Sequence, residues 1–239
     1  MKIGLIQTRG IGDLVIAAPI AQHFLDDGHE VFWPLDARFV PFAEPAFPGI
    51  RFLPVDAAVT GPATLEYFHG APLRALAEAG CEAVHCLYSF LSGLPVVQEH
   101  LARSLKFDEY KYAVAGVPFA RKWALRIARD RAREQALSQR LGLRDPYVLV
   151  HETGSDYRLH IALPPDIEAT HQVVRMEDLT DSPFDWLGAL EGAAMLVCVD
   201  SVFANLADQL DLCPRKYLFL RSPIQATPVF RSGWQFRRA

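Results

Sequence analysis

The stretch KIGLIQTRGIGDLVIAAP at residues 2–19 decides the fold. Residues 2–7 are mostly apolar and predict a buried β-strand, and residues 8–12 form a polar turn that contains two glycines. A helical pattern of apolar side chains begins at Asp13 and ends at Gly28. Residues 30–35 then predict a second strand. This order of strand, turn, helix and strand is typical of a parallel α/β layer.

The same alternation continues along the chain and divides it into two halves. Further strands are expected at 50–55, 83–88, 147–150, 171–175, 195–199 and 216–220. Helices are expected at 72–79, 95–104, 120–141, 184–193 and 201–210, and residues 107–118 are expected to be irregular. The polar segment 142–146 marks a boundary, because a strand that feeds a polar turn begins again directly after it.

We therefore predict an α/β protein with two Rossmann-like domains, residues 1–142 and 146–239, whose parallel sheets face a cleft. The second domain is expected to be abridged. Pro164 and Pro165 stand where a full helix would join its first two strands, and proline is unfavourable inside a helix. After Leu220 the sequence shows no pattern for a long closing helix.

The composition is that of an ordinary globular protein and excludes several classes of function. The 239 residues carry a net charge of −4, and 51% of them are hydrophobic. Such a chain lacks the basic field that non-specific nucleic-acid binding requires. No apolar run reaches the ~20 residues that span a bilayer, and the first strand is too short for a signal peptide. The four cysteines lack metal-binding spacing, so we expect reduced thiols in a cytoplasmic protein and no metal site.

The first candidate site is the turn formed by Arg9, Gly10, Ile11 and Gly12. Ligands of open α/β sheets bind at the carboxyl ends of the strands, where this turn lies. Its glycines allow a ligand to approach the backbone, and the amino terminus of the following helix favours an anion. Asp13 is then either the N-cap of that helix or a general base.

The same turn also allows a dinucleotide site. Gly10 and Gly12 match the first two glycines of the GxGxxG motif, and Asp36 follows the second strand where a ribose-binding acid belongs. Val15 occupies the position of the third glycine. An NAD(P)-dependent enzyme is therefore the weaker alternative.

The second half offers a turn at the end of its first strand. The hydroxyls and amides of Thr153, Gly154 and Ser155 can bind phosphate oxygens, with Arg158 as a nearby cation. A plain surface loop is the competing interpretation.

A further turn follows the strand at 195–199. Asp200 and Ser201 lead into a helix that runs through Asn205, and backbone N–H groups at the start of that helix can hold a diphosphate. An N-cap without a ligand is the alternative.

Residues 9–19 and 184–207 carry a resemblance to a known family. The first segment contains Gly12-Asp13, an apolar run and Pro19. The second contains a helix, an alanine-rich turn, a strand and the pair Asp200-Ser201. In this order and spacing the two segments resemble glycosyltransferase family 9, the heptosyltransferase type.

This resemblance implies a GT-B architecture, with the acceptor bound mainly by the first domain and a nucleoside-diphosphate sugar by the second. It implies a metal-independent, inverting transfer without a cofactor. Asp13 would be the general base that deprotonates an acceptor hydroxyl. Asp200 and Ser201 would hold the donor phosphates, the turn at 153–155 would face the same donor, and Glu177 would bind the ribose.

The sequence departs from the family pattern in the second half. Val202 and Asn205 stand where the family has glycine and histidine, and a β-branched residue resists the positive φ that glycine allows. The Lys-x-Trp segment of the family is missing, and Arg158 is the cation that can replace it. These departures favour a second hypothesis, a non-catalytic protein that binds a nucleotide or a nucleotide-sugar, or a decayed transferase.

The expected partners are a nucleotide-sugar and a glycan or another hydroxyl acceptor, and no nucleic acid. Arginines are frequent near residues 121–133 and at 237–238. They leave contact with a membrane surface open.

Overall fold

The computed structural model describes residues 1–91, 93–155, 157–220, 227–231 and 233–238. The chain divides into two compact units, Met1–Ala128 and Arg129–Ala239. Each unit is built around one parallel sheet.

The first unit alternates strands and helices. In chain order it contains β1 (Lys2–Ile6), α1 (Ile11–Asp26), β2 (Glu30–Asp36), α2 (Val40–Ala46), β3 (Ile50–Val55), α3 (Ala57–Thr60), α4 (Ala71–Glu78), β4 (Ala83–Cys86), α5 (Glu99–Ser104) and α6 (Phe107–Ala115). A π-helical turn at Glu66–Gly70 precedes α4, and a 3-10 turn at Phe119–Ala124 follows α6. The strands pair in parallel in the order β3-β2-β1-β4. The order reverses between β1 and β4, so the crevice in which such sheets bind ligands lies at the carboxyl ends of these two strands.

The core of this unit fixes the position of α1. The helix buries nine consecutive residues, from Leu14 to Gln22, and the phenol of Tyr112 on α6 donates a hydrogen bond of 2.8 Å to the carbonyl of Ile16. On the sheet, a Cβ at Gly4 would lie 2.7 Å from Leu76, so only glycine lets α4 pack this closely. The amino terminus of α1 is thus held firmly beside the carboxyl end of β1.

The second unit repeats the design with a larger sheet. In chain order it contains α7 (Arg131–Leu141), β5 (Tyr147–His151), α8 (Pro165–Thr170), β6 (Gln172–Arg175), α9 (Leu187–Gly192), β7 (Met195–Val199), α10 (Val202–Gln209), β8 (Lys216–Leu220) and β9 (Trp234–Arg238). A 3-10 turn at Pro183–Trp186 leads into α9. All strands are parallel, in the order β6-β5-β7-β8-β9. Here the order reverses between β5 and β7, which places the expected ligand crevice at the ends of those strands.

The predicted strands are confirmed, and the connection between the first two strands of the second unit is short as predicted. The expectation that no long closing helix follows Leu220 falls partly on residues 221–226, which lie outside the described residues. Every predicted strand is present to within about two residues. Only the six-residue helix α8 forms between β5 and β6, because Pro164 precedes it and the next strand begins at Gln172. The strand β9 was not predicted.

The helix predicted at 120–141 is wrong. The chain forms a 3-10 turn and then a stretch without regular secondary structure at 125–130, and α7 begins only at Arg131. Asp130 is the cause, because its carboxylate accepts the backbone N–H groups of Ala132 and Arg133 at 3.1 Å and caps a new helix. The irregular segment predicted at 107–118 is also wrong, since α6 occupies most of it and ends at Gly116 with φ +69°.

The division of the chain lies before α7 and not at 142–146. Arg133 on α7 donates two hydrogen bonds, of 2.9 and 2.8 Å, to Asp185 beside α9. Arg129 bonds Glu134 and reaches Glu191 at the end of α9 at 2.9 Å. These bidentate pairs attach α7 to the second unit, so its residues belong with the second sheet.

Candidate functional site

The turn after β1 is shaped by Gly10. This residue has φ +93°, a conformation that glycine adopts at no steric cost. A Cβ at Gly10 would lie 2.7 Å from Oδ2 of Asp13. Glycine is therefore required here twice, for the backbone and for the space that the Asp13 carboxylate occupies. Ile11 and Gly12 are half-buried and form the start of α1.

Asp13 is not the N-cap of α1. Gly10 occupies that position, makes no side-chain cap, and accepts the Leu14 N–H at 2.9 Å through its carbonyl. Asp13 lies in the first turn, where the helix dipole stabilises a negative charge. Its side chain is 34% exposed, and its Oδ1 lies 3.0 Å from Nζ of Lys111. The N-cap alternative for Asp13 is therefore wrong, and its role as a general base stays a prediction.

Lys111 is the residue at this edge that the sequence did not reveal. It lies on α6 and is only 3% exposed. Besides Asp13, its ammonium donates to Oε1 of Gln7 at 2.6 Å and to the carbonyl of Leu87 at 3.3 Å. An ammonium has three N–H donors, and three acceptors surround this one. In the sequence it is a lone lysine among tyrosines in 107–115. This pattern points to a site only once the segment is known to form a helix.

Tyr88 and Arg9 complete the first edge. The backbone N–H of Arg9 donates to the Tyr88 phenol oxygen at 2.8 Å. Burial raises the pKa of Tyr88 far above its ordinary value, and the negative charge of Asp13 raises it further. The phenol therefore stays protonated at all physiological pH values. The Arg9 side chain is exposed and forms no ion pair with any residue that the structure describes.

Asp36 is fully occupied by its own neighbours. At the end of β2 it accepts hydrogen bonds from the phenol of Tyr67 at 2.6 Å and from the Arg38 side chain at 2.9 and 2.8 Å. Burial alone would raise the pKa of Asp36, but these bonds and the Arg38 charge lower it overall. A carboxylate held in this way is poorly placed to bind a ribose, so the dinucleotide alternative gains no support.

In the second unit, His151 and Ser201 meet at the crevice between β5 and β7. His151 ends β5 and Ser201 precedes α10, and Nδ1 of the imidazole lies 3.1 Å from the Ser201 hydroxyl. The ring also packs edge-on against Phe203 at 4.7 Å. Burial lowers the pKa of His151 to about 4, against the opposing effect of nearby carboxylates. The pair is therefore uncharged at neutral pH.

The start of α10 keeps features of an anion site despite the departures from the family pattern. The Ser201 hydroxyl points to His151 and makes no cap on the helix amides. Val202 is the first residue of α10 and is not among the residues with positive φ, so its β-branch causes no strain there. Asn205 is buried and donates to the Ser201 carbonyl at 3.0 Å. Asp200 lies half-buried between β7 and the helix.

The turn at 153–155 is the tip of a small hairpin. Thr153 pairs with Arg158, and the Gly154 N–H donates to the Tyr157 carbonyl at 2.8 Å. A Cβ at Gly154 would lie 2.1 Å from the Tyr157 ring, so only glycine fits below it. Thr153 and Ser155 are exposed. Their hydroxyls are thus accessible to a ligand.

Glu152 anchors this hairpin and was also not predicted. It is buried and accepts the Ile161 N–H at 2.6 Å and the Arg175 guanidinium at 2.7 Å. Burial opposes its charge, but these two groups lower the pKa of Glu152 overall. The Arg158 guanidinium lies 3.9 Å from Glu152 and is 73% exposed. Arg158 is therefore held near the turn with most of its surface open to solvent.

Glu177 lies apart from these contacts. It is exposed and follows β6 by two residues. Within the described part of the chain, its carboxylate forms no ion pair or hydrogen bond with the residues of either turn. Its role toward a ribose stays a prediction.

The second unit also contains a cavity of about 410 Å³. Its lining is mainly apolar and includes Ile161, Met195, Val197, Tyr217, Phe219 and Arg237. None of the predicted donor residues lines this cavity.

Comparison with known proteins identifies the fold. No family model and no curated protein matches the sequence. Among solved structures, a family 9 glycosyl transferase from Veillonella parvula is similar with a TM-score of 0.64 and 13% identity, over 99% of this chain and 86% of that one. The chain has the fold of the family 9 glycosyltransferases. The predicted GT-B-like α/β class is thereby confirmed.

Two Escherichia coli enzymes share this fold. Heptosyltransferase WaaC, solved with ADP-2-deoxy-2-fluoro heptose, has a TM-score of 0.53 and 16% identity over 100% of this chain and 93% of its own. ADP-heptose LPS heptosyltransferase II has a TM-score of 0.55 and 11% identity over 100% and 91%. At these identities the likeness concerns the fold.

The described residues show neither a membrane-spanning helix nor a metal-binding cluster. No helix in the described ranges is long and apolar enough to cross a bilayer. Within the same ranges, no group of three or more His, Cys, Asp or Glu side chains is arranged to hold a metal ion.

Proposed function

We propose that this protein is an inverting glycosyltransferase that moves a sugar from a nucleoside diphosphate to an acceptor hydroxyl, without a metal. One observation carries the proposal. The Asp13 carboxylate, one third exposed and bonded to a buried lysine, lies at the strand ends where α/β sheets bind ligands. The fold shared with family 9 transferases supports it.

In this reaction Asp13 acts as the general base. Its carboxylate takes the proton of the acceptor hydroxyl, and the acceptor oxygen forms a bond to the anomeric carbon of the donor. The bond between that carbon and the diphosphate oxygen breaks, and the electron pair leaves with the nucleoside diphosphate. Attack from the opposite face inverts the anomeric configuration.

The second unit supplies the site for the leaving diphosphate. The uncapped amino terminus of α10, the hydroxyls of Thr153 and Ser155, and the exposed Arg158 guanidinium are suited to phosphate oxygens. Such donors stabilise charge that develops on the leaving group. ADP-sugars are the first donors to test, because the WaaC structure contains an ADP-sugar analogue.

A second candidate is a protein that binds a nucleotide-sugar without transferring it. Asn205 favours it, because this buried amide stands where the family has histidine, and its Oδ1 has no hydrogen-bond partner among the described residues. A site altered in this way binds a diphosphate without the side chain on which the family relies.

The experiment is a panel of ADP-, UDP- and GDP-sugars with wild type, Asp13→Asn and Asp13→Ala. Release of nucleoside diphosphate measures turnover, and calorimetry measures donor binding. We expect Asp13→Asn to bind the donor normally and to turn it over about 10²–10⁴-fold more slowly, which is the usual contribution of a general base. Equal rates in wild type and variants would exclude Asp13 as the base. Tight donor binding without turnover in wild type would favour the second candidate.

A further inference from the structure

We infer that Lys111 is a positioning residue, which holds the Asp13 carboxylate in a fixed orientation toward the acceptor hydroxyl. The inference rests on the proposed role of Asp13 as the general base. It adds a residue that neither the sequence motifs nor the fold comparison assigns.

The geometry leaves Lys111 little freedom. Its ammonium is bonded to Asp13 at 3.0 Å, to Gln7 at 2.6 Å and to the Leu87 carbonyl at 3.3 Å. The ammonium also lies over the rings of Tyr88 and Phe107, whose centroids are 5.8 and 5.6 Å from Nζ. A lysine fixed by three acceptors presents one N–H to Asp13 in a defined direction.

Gln7 connects this lysine to the catalytic turn. Its Oε1 accepts from Lys111, and its Nε2 donates to the Arg9 carbonyl at 2.8 Å. The Gln7 backbone carbonyl is itself fixed by the indole N–H of Trp33 at 2.9 Å. One continuous chain of hydrogen bonds thus ties α6, β1 and the turn that carries Asp13.

Exposure distinguishes the two partners. The Lys111 side chain is 4% exposed, whereas that of Asp13 is 34% exposed. A substrate hydroxyl can reach the carboxylate but not the ammonium. Lys111 therefore acts through Asp13, by fixing the direction in which that carboxylate points.

The first unit contains a second lysine–aspartate pair, in which neither side chain is exposed. Lys122 and Asp108 lie 2.7 Å apart and both side chains are fully buried. Removing Lys122 disturbs the core as removal of a buried charge does, but does not touch Asp13. Lys122→Met is therefore the control for a merely structural effect.

The test uses the full chain, the active donor from the panel, and the variants Lys111→Met, Asp13→Asn, their double variant and Lys122→Met. We expect Lys111→Met to lower kcat about 10–100-fold with an unchanged donor KM. In the Asp13→Asn background the same change should cost no further activity. Lys122→Met should lower Tm and leave kcat per folded molecule unchanged.

Several results would overturn the inference. Unchanged kcat in Lys111→Met, or losses that multiply in the double variant, would show that Lys111 does not act through Asp13. If Asp13→Asn itself is fully active, the proposed base fails instead, so the two failures are distinguishable.

Two further measurements test the inference if Lys111→Met does not fold or if turnover is not measurable. If Lys111→Met does not fold, Gln7→Glu offers Lys111 a competing carboxylate in place of the amide and should lower kcat with the fold kept. Urea unfolding of the four proteins of the cycle measures the Lys111–Asp13 coupling without any turnover, and additive losses there would also overturn the pairing.

Discussion

The two sheets place different chemistry at equivalent positions. At the β1/β4 crevice a carboxylate is paired with a buried ammonium, and at the β5/β7 crevice a neutral imidazole is paired with a hydroxyl. In the first arrangement the ammonium fixes one oxygen of an accessible carboxylate. The second leaves the helix amides and Arg158 as the positive features of the edge, which suits an anion that must bind and leave again. The same topology therefore carries different side chains after the central strands of its two sheets.

The largest expected difference between the two crevices is the effect of acid on folding stability. His151 has a pKa of about 4 in the folded chain and an ordinary value of 6.5. Below pH 6.5 the unfolded chain binds a proton here that the folded chain does not, so stability from this residue is lost as the pH falls toward 4. The loss is up to about 3 kcal/mol at 1.36 kcal/mol per unit of pKa.

Urea unfolding at pH 7 and at pH 4.5 checks this expectation. His151→Gln should lose clearly less stability than wild type over that interval, while the exposed His100→Gln should follow wild type. Parallel losses in wild type and His151→Gln would show that the imidazole is not kept neutral by burial.

A second substitution tests whether the activity depends on the position of the Asp13 carboxylate beside Gly10. Gly10→Ala places a Cβ 2.7 Å from Oδ2 of Asp13, so the carboxylate must move. We expect kcat to fall about 100-fold, because displacements near 1 Å at a catalytic group have costs of this order. The measurement is donor turnover alongside Tm.

Gly28→Ala is the matched control. Gly28 also has a positive φ, of +80°, but a Cβ there meets nothing within 4 Å. This variant should lose about 1–2 kcal/mol of stability from backbone strain and keep its kcat. Equal loss of kcat in both variants would mean that backbone strain at the glycines flanking α1, and not the position of Asp13, limits the activity.

The sequence predicts the strands and both glycine turns well, because apolar runs and glycines are local signals. For Asp13 the sequence leaves two alternatives, the N-cap of α1 and a general base. The N-cap alternative is wrong, because Gly10 occupies that position. Lys111 could not be predicted, since its partner Gln7 is 104 residues away and only tertiary packing brings them together. Glu152 was missed for a similar reason, because Arg175 reaches it from a neighbouring strand.

The smallest expected effect concerns Arg158, the cation near the β5/β7 crevice. Arg158→Met removes a guanidinium that is 73% exposed, so its bond to a phosphate is weakened by solvent. We expect the Kd of the nucleoside diphosphate to rise about tenfold, equivalent to about 1.4 kcal/mol. Calorimetry with ADP, UDP and GDP at low and high salt measures it, and the difference from wild type should shrink as salt screens the charge. The exposed Arg144→Met should bind as wild type does. If Arg158→Met binds the nucleoside diphosphate as tightly as wild type at low salt, Arg158 does not contribute to binding. The amides of α10 then hold the diphosphate without a cation, whereas the first crevice relies on a lysine.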